Sequence, residues 1–406
     1  MSEPLIKPFK GLLYNKDKID DISSCVCPPY DVISDPEPYY KRSPFNAVHL
    51  ELPRPGNDLD CYGTARKTLD GWLDEEVLSF DGCESIYIYE QEFIVHGATR
   101  RRAGIIPMVR LDRERILTHE ETRKKAREDR EKLIETLKTF TSLIFAMYED
   151  RTKDIEKLLA NAQKELIYDF ADEDSIRNRF YRMTDSAEIT RLASLIDEKN
   201  LYIADGHHRL SVSFKLGLPY VAIYLTDMHS DGIQILPYHR VIRLKEKRSI
   251  DGLLSAAENY FEVTRVAYHD AGVLEQLVGE ISSSPYLSFL VYFRGEKPSL
   301  RLLKQEKEFE FDPGSHDSLK KLKVNALHSG VLKHLLGIKD EEISFLNDPK
   351  EAATLVDQGQ YDLAVFVPPT SVEEVKAIAE NNLYMPPKST FFYPKLLTGL
   401  VFQKYA

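Results

Sequence analysis

The 406-residue sequence has no apolar run near the roughly 20 residues that a membrane-crossing helix requires. Its opening, MSEPLIKPFKGLL, lacks the charged-then-apolar layout of a secretory signal. A soluble, cytoplasmic protein is the expectation. Cysteine is scarce: Cys25, Cys27, Cys61 and Cys83 all lie in the first quarter. A lone Cys-x-Cys without a second paired cluster is not the spacing of a structural zinc site, and the four read as free thiols in a reducing compartment. Positive charge is also short. Lys and Arg number 54 against 65 Asp and Glu, a net charge of -11. That field opposes general polyanion binding but leaves room for a local basic pocket around one small phosphate. There is no fixed-period repeat, low-complexity tract or recognisable helix-turn-helix, and no Gly-x4-Gly-Lys phosphate loop.

What is present is enough apolar residue, 43% of the chain, to build more than one core. Residues 1–55 are rich in Pro and turn formers, with NAVHLEL as the best candidate strand. YGTARKTLDGWLDEEVLSF places Ala65, Leu69, Trp72 and Leu73 on one helical face. ESIYIYEQEFIV and RAGIIPMVRL read as a hairpin turned at HGATRR. From 113 to 200 the pattern is charged helix, the last segment opening on TDS cap chemistry. Further on, YHRVIRL reads as a strand, SIDGLLSAAENYF as a helix, and SPYLSFLVYFRGEKPSLRLLKQ as a hairpin turned at Gly295. SLKKLKVNALHSGVLKHLLGI then reads as a helix, and YDLAVFVPPTSVEEVKAIAENN as strand, loop and helix. The irregular alternation favours an α+β fold over a regularly wound parallel sheet.

The stretch LYIADGHHRLSVSFKLGLPYVAIYLTD carries the chemistry. An apolar run ends in Asp205-Gly206-His207-His208-Arg209, and helical spacing follows at once. A helix entered through Gly points its first unpaired N–H groups at one place, which together with the helix dipole makes an anion site. Arg209 adds a forked donor suited to phosphate oxygens. Asp205 can hold a divalent metal or take a proton from an attacking hydroxyl. The plainer reading makes Asp205 an ordinary helix cap and the His-His-Arg run a solvated first turn. Adjacent helical histidines diverge by about 100° and seldom chelate one ion.

This strand-Asp-Gly-x-His-Arg-helix pattern resembles the phosphate-binding turn of the ParB/sulfiredoxin superfamily, in particular its free serine kinases, which move phosphate from a nucleotide onto L-serine. The ordered blocks PPYDVIS, HLELP, HEET with REDR, DGHHR, PYHRVI, FVPPT and MPPKSTFFYPKLLTGL resemble the domain-of-unknown-function 1015 family across nearly the whole chain. The resemblance implies a ParB/sulfiredoxin-like mixed α/β core over residues 1–245 with a helical insertion at about 113–200, and further α/β elements over 246–406 packing on it. It assigns Asp205, His208 and Arg209 to the acid, histidine and arginine of the turn. His207 takes the variable position, as a proton shuttle or a cap. The catalytic glutamate of the serine kinases has two candidates here, Glu51 and Glu120. Magnesium and ATP or ADP are the implied cofactors, with Asp205 as a metal ligand.

Other clusters fit a pocket or plain structure about equally. Tyr30 and Asp31 sit on the rigid Pro28-Pro29 turn. His119, Glu120 and Thr122 read as the opening of a charged helix, and suit proton transfer or substrate contact. His239 and Arg240 begin a strand and can face phosphate or carboxylates. Lys388, Ser389, Thr390 and Lys395 lie among aromatics in the C-terminal stretch MPPKSTFFYPK, which reads as a loop closing over a site or as a docked terminal segment. Three functions follow. The first is a nucleotide-dependent phosphotransferase acting on a small hydroxyl metabolite such as free L-serine. The second is a non-catalytic nucleotide-binding regulator of a protein partner. The third is a metal-dependent hydrolase. A small molecule and a nucleotide are the expected partners; a membrane is not, the charge argues against nucleic acid, and a homo-oligomer is left open.

Overall fold

A computed structural model describes residues 3–95, 97–245, 249–267, 271–293, 299–307 and 314–405. Helices and strands are interspersed along the chain, giving the α+β class. Two compact units form. The first comprises Met1–Thr118, Thr122–Gln234 and Pro394–Ala406; the second comprises His119–Glu121 and Ile235–Tyr393.

The first unit is built on a mixed sheet. Its backbone is the hairpin Ile86–Val95 with Ala98–Ile106, continued on one side by Arg177–Met183 and Glu165–Ala171. On the other side come Tyr220–Asp227, Ile144–Tyr148, Leu201–Asp205 and Ile116–Leu117. Tyr220–Asp227 runs parallel to Ile144–Tyr148, which is antiparallel to Leu201–Asp205. The central strands read as near-continuous apolar runs because both faces are covered. Their side chains form one core with Leu192, Ile196, Leu210 and Val212 from flanking helices. The helix Cys61–Asp74 buries Ala65, Leu69 and Trp72, the face its spacing marks, under the cap of Asp60.

Two readings of this unit need correction. NAVHLEL is not a strand. Asn46 accepts the Val48 N–H at 2.9 Å and donates to the carbonyls of Ser24 and Val26, and this local turn starts the short helix Val48–Glu51. The segment 113–200 is not a helical insertion. It holds the helices Lys124–Leu137, Asp154–Asn161 and Ser186–Asp197, the last capped by Asp185. It also supplies Ile144–Tyr148, Glu165–Ala171 and Arg177–Met183 to the main sheet. In Arg177–Met183 the buried Asn178, Phe180 and Met183 are set among long charged or polar side chains such as Arg177, which pairs with Asp169 at 2.9 Å. Those charges mask the period-2 signal.

The second unit has the sheet Phe261–Val266, Ser299–Gln305, Ser288–Phe293, Leu363–Phe366, His239–Ile242 and Ile343–Leu346, in that spatial order. The hairpin read from SPYLSFLVYFRGEKPSLRLLKQ is present as Ser288–Phe293 with Ser299–Gln305; its turn at Gly295 lies outside the described residues. SLKKLKVNALHSGVLKHLLGI breaks into Asp317–Lys321, Lys323–Asn325 and a π-helix, Ala326–Leu335. Ser371 and Glu374 form a capping box on Val372–Glu380.

Candidate functional site

Leu201–Ala204 are buried in the first core, and the strand ends at Asp205. Gly206 then takes φ +87°, in the left-handed region where a missing Cβ removes the steric penalty. A Cβ there would stand 3.1 Å from Ile144 Cα and from Arg209 Nε and Nη2. The helix His207–Lys215 follows with Gly206, not Asp205, as its N-cap. The capping role read for Asp205 is therefore corrected. Its carboxylate meets two cations instead: Arg209 Nη2 donates to Oδ2 at 3.3 Å and Lys395 Nζ donates to Oδ1 at 3.2 Å.

Burial alone would raise the Asp205 carboxyl, but Lys395 and Arg209 outweigh it and hold the group down at about 2. A carboxyl depressed in the folded state contributes stability above its ordinary value near 3.9 and loses it as pH falls through the folded value. The stability gap between the wild type and Asp205→Asn should therefore shrink by about 2 kcal/mol between roughly pH 4 and pH 2. Acid titration of both melting curves checks this; parallel curves through that window would show that the charge contributes nothing.

Arg209 is only 4% exposed, and its Nε has no hydrogen-bond partner among the described residues. A guanidinium buried beside a helix start with a donor to spare is suited to hold an anion. His207 is also buried, and burial pushes its imidazole down to about 4 against the pull of Asp205, so it is neutral at neutral pH. His208 is positioned at both nitrogens. Its Nε2 accepts the Arg123 N–H at 3.1 Å, which places the proton of a neutral ring on Nδ1, facing Tyr30 Oη at 3.3 Å. Burial raises the Tyr30 phenol, opposed by Arg209, and the Arg130 guanidinium lies 4.2 Å from its ring centre. Asp31 is exposed.

Glu51 is 1% exposed, at the end of the short helix Val48–Glu51. Thr141 donates its hydroxyl to Oε2, Ser142 Oγ donates to Oε1 at 3.1 Å, and Arg130 Nη1 stands 3.5 Å from Oε1. Tyr30 feels the charges of Arg209, Arg130 and Glu51 together, so the phenol stands among all three. Thr122 accepts from Arg127 Nη1 at 3.5 Å.

Lys395 belongs to the C-terminal loop MPPKSTFFYPK that the sequence offers as closing over a site, but its partner is not readable there. It is 190 positions from Asp205, and no local pattern links the two. Its segment is fixed by two buried side chains: the Gln91 amide donates from Nε2 to Lys395 O at 3.1 Å, and the Arg102 guanidinium donates to Pro394 O.

The remaining candidates belong to the second unit. His119 and Glu120 precede the helix that starts at Lys124. The Met385 N–H donates to His119 O at 2.9 Å, and His119 Nε2 lies 3.4 Å from Thr390 Oγ1. His239 and Arg240 are buried in their strand, His239 pushed down to about 3 and Arg240 to about 9 by that burial. Lys388 Nζ lies 3.4 Å from Tyr238 Oη.

Among the described residues no group of three or more His, Cys, Asp or Glu side chains is arranged to hold a metal. Asp205 is already matched by two cations, and a neutralised carboxylate is a poor anchor for Mg²⁺. With both carboxylate oxygens of Asp205 facing cations, the donor set is a poor fit for a protein-held divalent ion. The described cysteines are all free.

A sequence profile described as protein of unknown function (DUF1015) matches residues 6–325. The chain belongs to that family. A ParB-like protein of Sulfolobus acidocaldarius is 33% identical over 48 residues, 12% of this chain; the match spans about a quarter (24%) of the relative's length. A conserved hypothetical protein from Pyrococcus furiosus overlays with a TM-score of 0.37 at 14% identity, covering 71% of this chain and 91% of that one. A free serine kinase in complex with AMP overlays with a TM-score of 0.38 at 14% identity, covering 70% and 86%. Among the described residues no helix is long and apolar enough to cross a membrane.

Proposed function

We propose that the first unit is a nucleotide-dependent phosphotransferase acting on a small hydroxyl metabolite, with free L-serine as the first candidate acceptor and ATP or ADP as the donor. One observation carries this reading: the buried Arg209, its Nε unpartnered among the described residues, packed over Gly206 at the start of a helix. Phosphate placed there meets the helix N–H groups, the helix dipole and the guanidinium at once. The resemblance of Asp205-Gly206-His207-His208-Arg209 to the serine-kinase turn supports the same assignment.

The residues divide the work by their charge states. Asp205, held at about 2, is too weak a base to take a hydroxyl proton at neutral pH and serves to fix Lys395 and Arg209. That leaves Glu51 as proton acceptor, with Thr141, Ser142 and Arg130 setting its orientation. His208 and Tyr30 form a linked pair beside Arg209, able to donate to phosphate or acceptor hydroxyl. Magnesium expected with the nucleotide would have to be carried on the nucleotide's own phosphates.

Arg209→Ala should weaken nucleotide or inorganic phosphate binding by roughly 1.5–3 kcal/mol, the value of a hydrogen bond to a charged group. Calorimetry on both proteins measures it. Phosphorus NMR of pure protein with ATP or ADP, magnesium and serine tests turnover directly: phosphoserine is the expected product. Absence of product with either donor removes serine, and nucleotide binding with no turnover on any hydroxyl acceptor would favour a non-catalytic switch.

A further inference from the structure

Arg240 departs from the rule that a buried guanidinium is matched by a carboxylate. It stands inside the sheet of the second unit with no exposed surface. Its Nη1 donates to Tyr238 O, and its Cζ lies 5.3 Å from the Phe345 ring centre. Its Nε and Nη2 have no hydrogen-bond partner among the described residues. These two nitrogens form one edge of the planar fork, the edge that grips both oxygens of a carboxylate in parallel. The chain has therefore buried a permanent charge and left its bidentate face unused, an arrangement that costs several kcal/mol unless an anion completes it.

A second observation lies beside the first. His328, 2% exposed on the π-helix Ala326–Leu335, packs with its ring centre 6.3 Å from the same Phe345 ring. Its Nε2 lies 3.2 Å from Asp340 Oδ1, and its Nδ1 has no partner among the described residues. Val365 is the cross-strand partner of Arg240, so both side chains leave the same face of the sheet. On that face Val365, Phe289 and Leu303 line an apolar pocket closed by Leu327 of the π-helix and Leu253 of Ile250–Ala257. A cationic fork and an apolar pocket thus stand one strand apart under one helix.

We propose that this face of the second unit binds an amphipathic monocarboxylate, its carboxylate on the Nε/Nη2 edge of Arg240 and its short aliphatic body in the pocket beside Val365. The site is independent of the phosphate reading of the first unit. The flat two-oxygen edge favours carboxylate, and the all-apolar lining rejects hydroxylated or multiply charged ligands, which would leave polar groups unpaired.

Calorimetry and thermal melting of the full chain with sodium hexanoate test this, with hexan-1-ol and inorganic phosphate as controls. Hexanoate is expected to bind once per chain and raise Tm, the controls binding at least about tenfold more weakly, the scale of a lost charged hydrogen bond. Arg240→Met should abolish hexanoate binding while keeping or raising Tm, because it removes an unmatched buried charge. Leu253→Phe, which fills the pocket from its outer wall and leaves Arg240 untouched, should weaken hexanoate as well, and it decides the matter if Arg240→Met does not fold. No hexanoate binding to the wild type, or binding unchanged in both variants, overturns the proposal. Phosphate binding as tightly as hexanoate overturns its amphipathic part. A lowered Tm for Arg240→Met together with no binding to the wild type would make Arg240 a structural residue.

Discussion

Glu51→Gln is expected to leave the protein folded and to lower phosphoryl transfer by roughly 10²-fold or more, the scale of a lost acid–base group. The substitution keeps the shape of the side chain and its ability to accept from Thr141 and Ser142, so the local hydrogen bonds survive. Arg130 is not stranded, because Asp129 still accepts from its Nη2 at 2.7 Å. What disappears is basicity: an amide cannot take a proton from the acceptor hydroxyl. Single-turnover transfer from ATP or ADP, with Tm as the control for folding, measures the effect. Wild-type turnover in Glu51→Gln would move the proton acceptor elsewhere and leave Glu51 as a buried structural carboxylate.

Lys395→Met carries the second large effect, on stability. Lys395 and Asp205 are both mostly shielded, with side-chain exposures of 12% and 20%. Removing one partner of such a pair leaves a charge without compensation, which costs roughly 3 kcal/mol, somewhat eased here because Arg209 remains on Oδ2. The double variant Asp205→Asn/Lys395→Met should recover a large part of that loss, since no lone charge is then buried. Denaturant unfolding of the two single variants and the double completes the cycle. Additive losses would show that the two groups do not act as a pair and that Lys395 does not hold Asp205 ionised.

The local part of this site was legible in the sequence because its chemistry is contiguous. Strand, glycine and basic helix start occupy adjacent positions, so the periodicity on either side of Asp205-Gly206-His207-His208-Arg209 placed the turn correctly. What Asp205 does there was not legible. Its role depends on Lys395, brought in by a segment clamped through Gln91 and Arg102, and no spacing rule connects those positions. The surroundings of Glu51 and Glu120 were hidden for the same reason. The fold gives Glu51 the hydroxyls of Thr141 and Ser142, about ninety positions on (|i−j| 90 and 91), and groups Glu120 with the second unit. The sheet was read in part. Strands of continuous apolar residues, such as Tyr220–Asp227, announce themselves, whereas Arg177–Met183 carries its core residues between charges and passes for helix surface.

The return of Pro394–Ala406 to the first unit has a consequence in time. Gln403 and Lys404 pair with Phe140 and Thr139, Phe402 exchanges backbone bonds with Leu12, and Lys395 meets Asp205. During translation this segment leaves the ribosome after every residue of the second unit. The Asp205–Lys395 pair therefore cannot close until synthesis has passed through the whole of the second unit. A chain stalled before Pro394 would present Asp205 and Arg209 without Lys395, so the closed ion pair marks a polypeptide made through to that point.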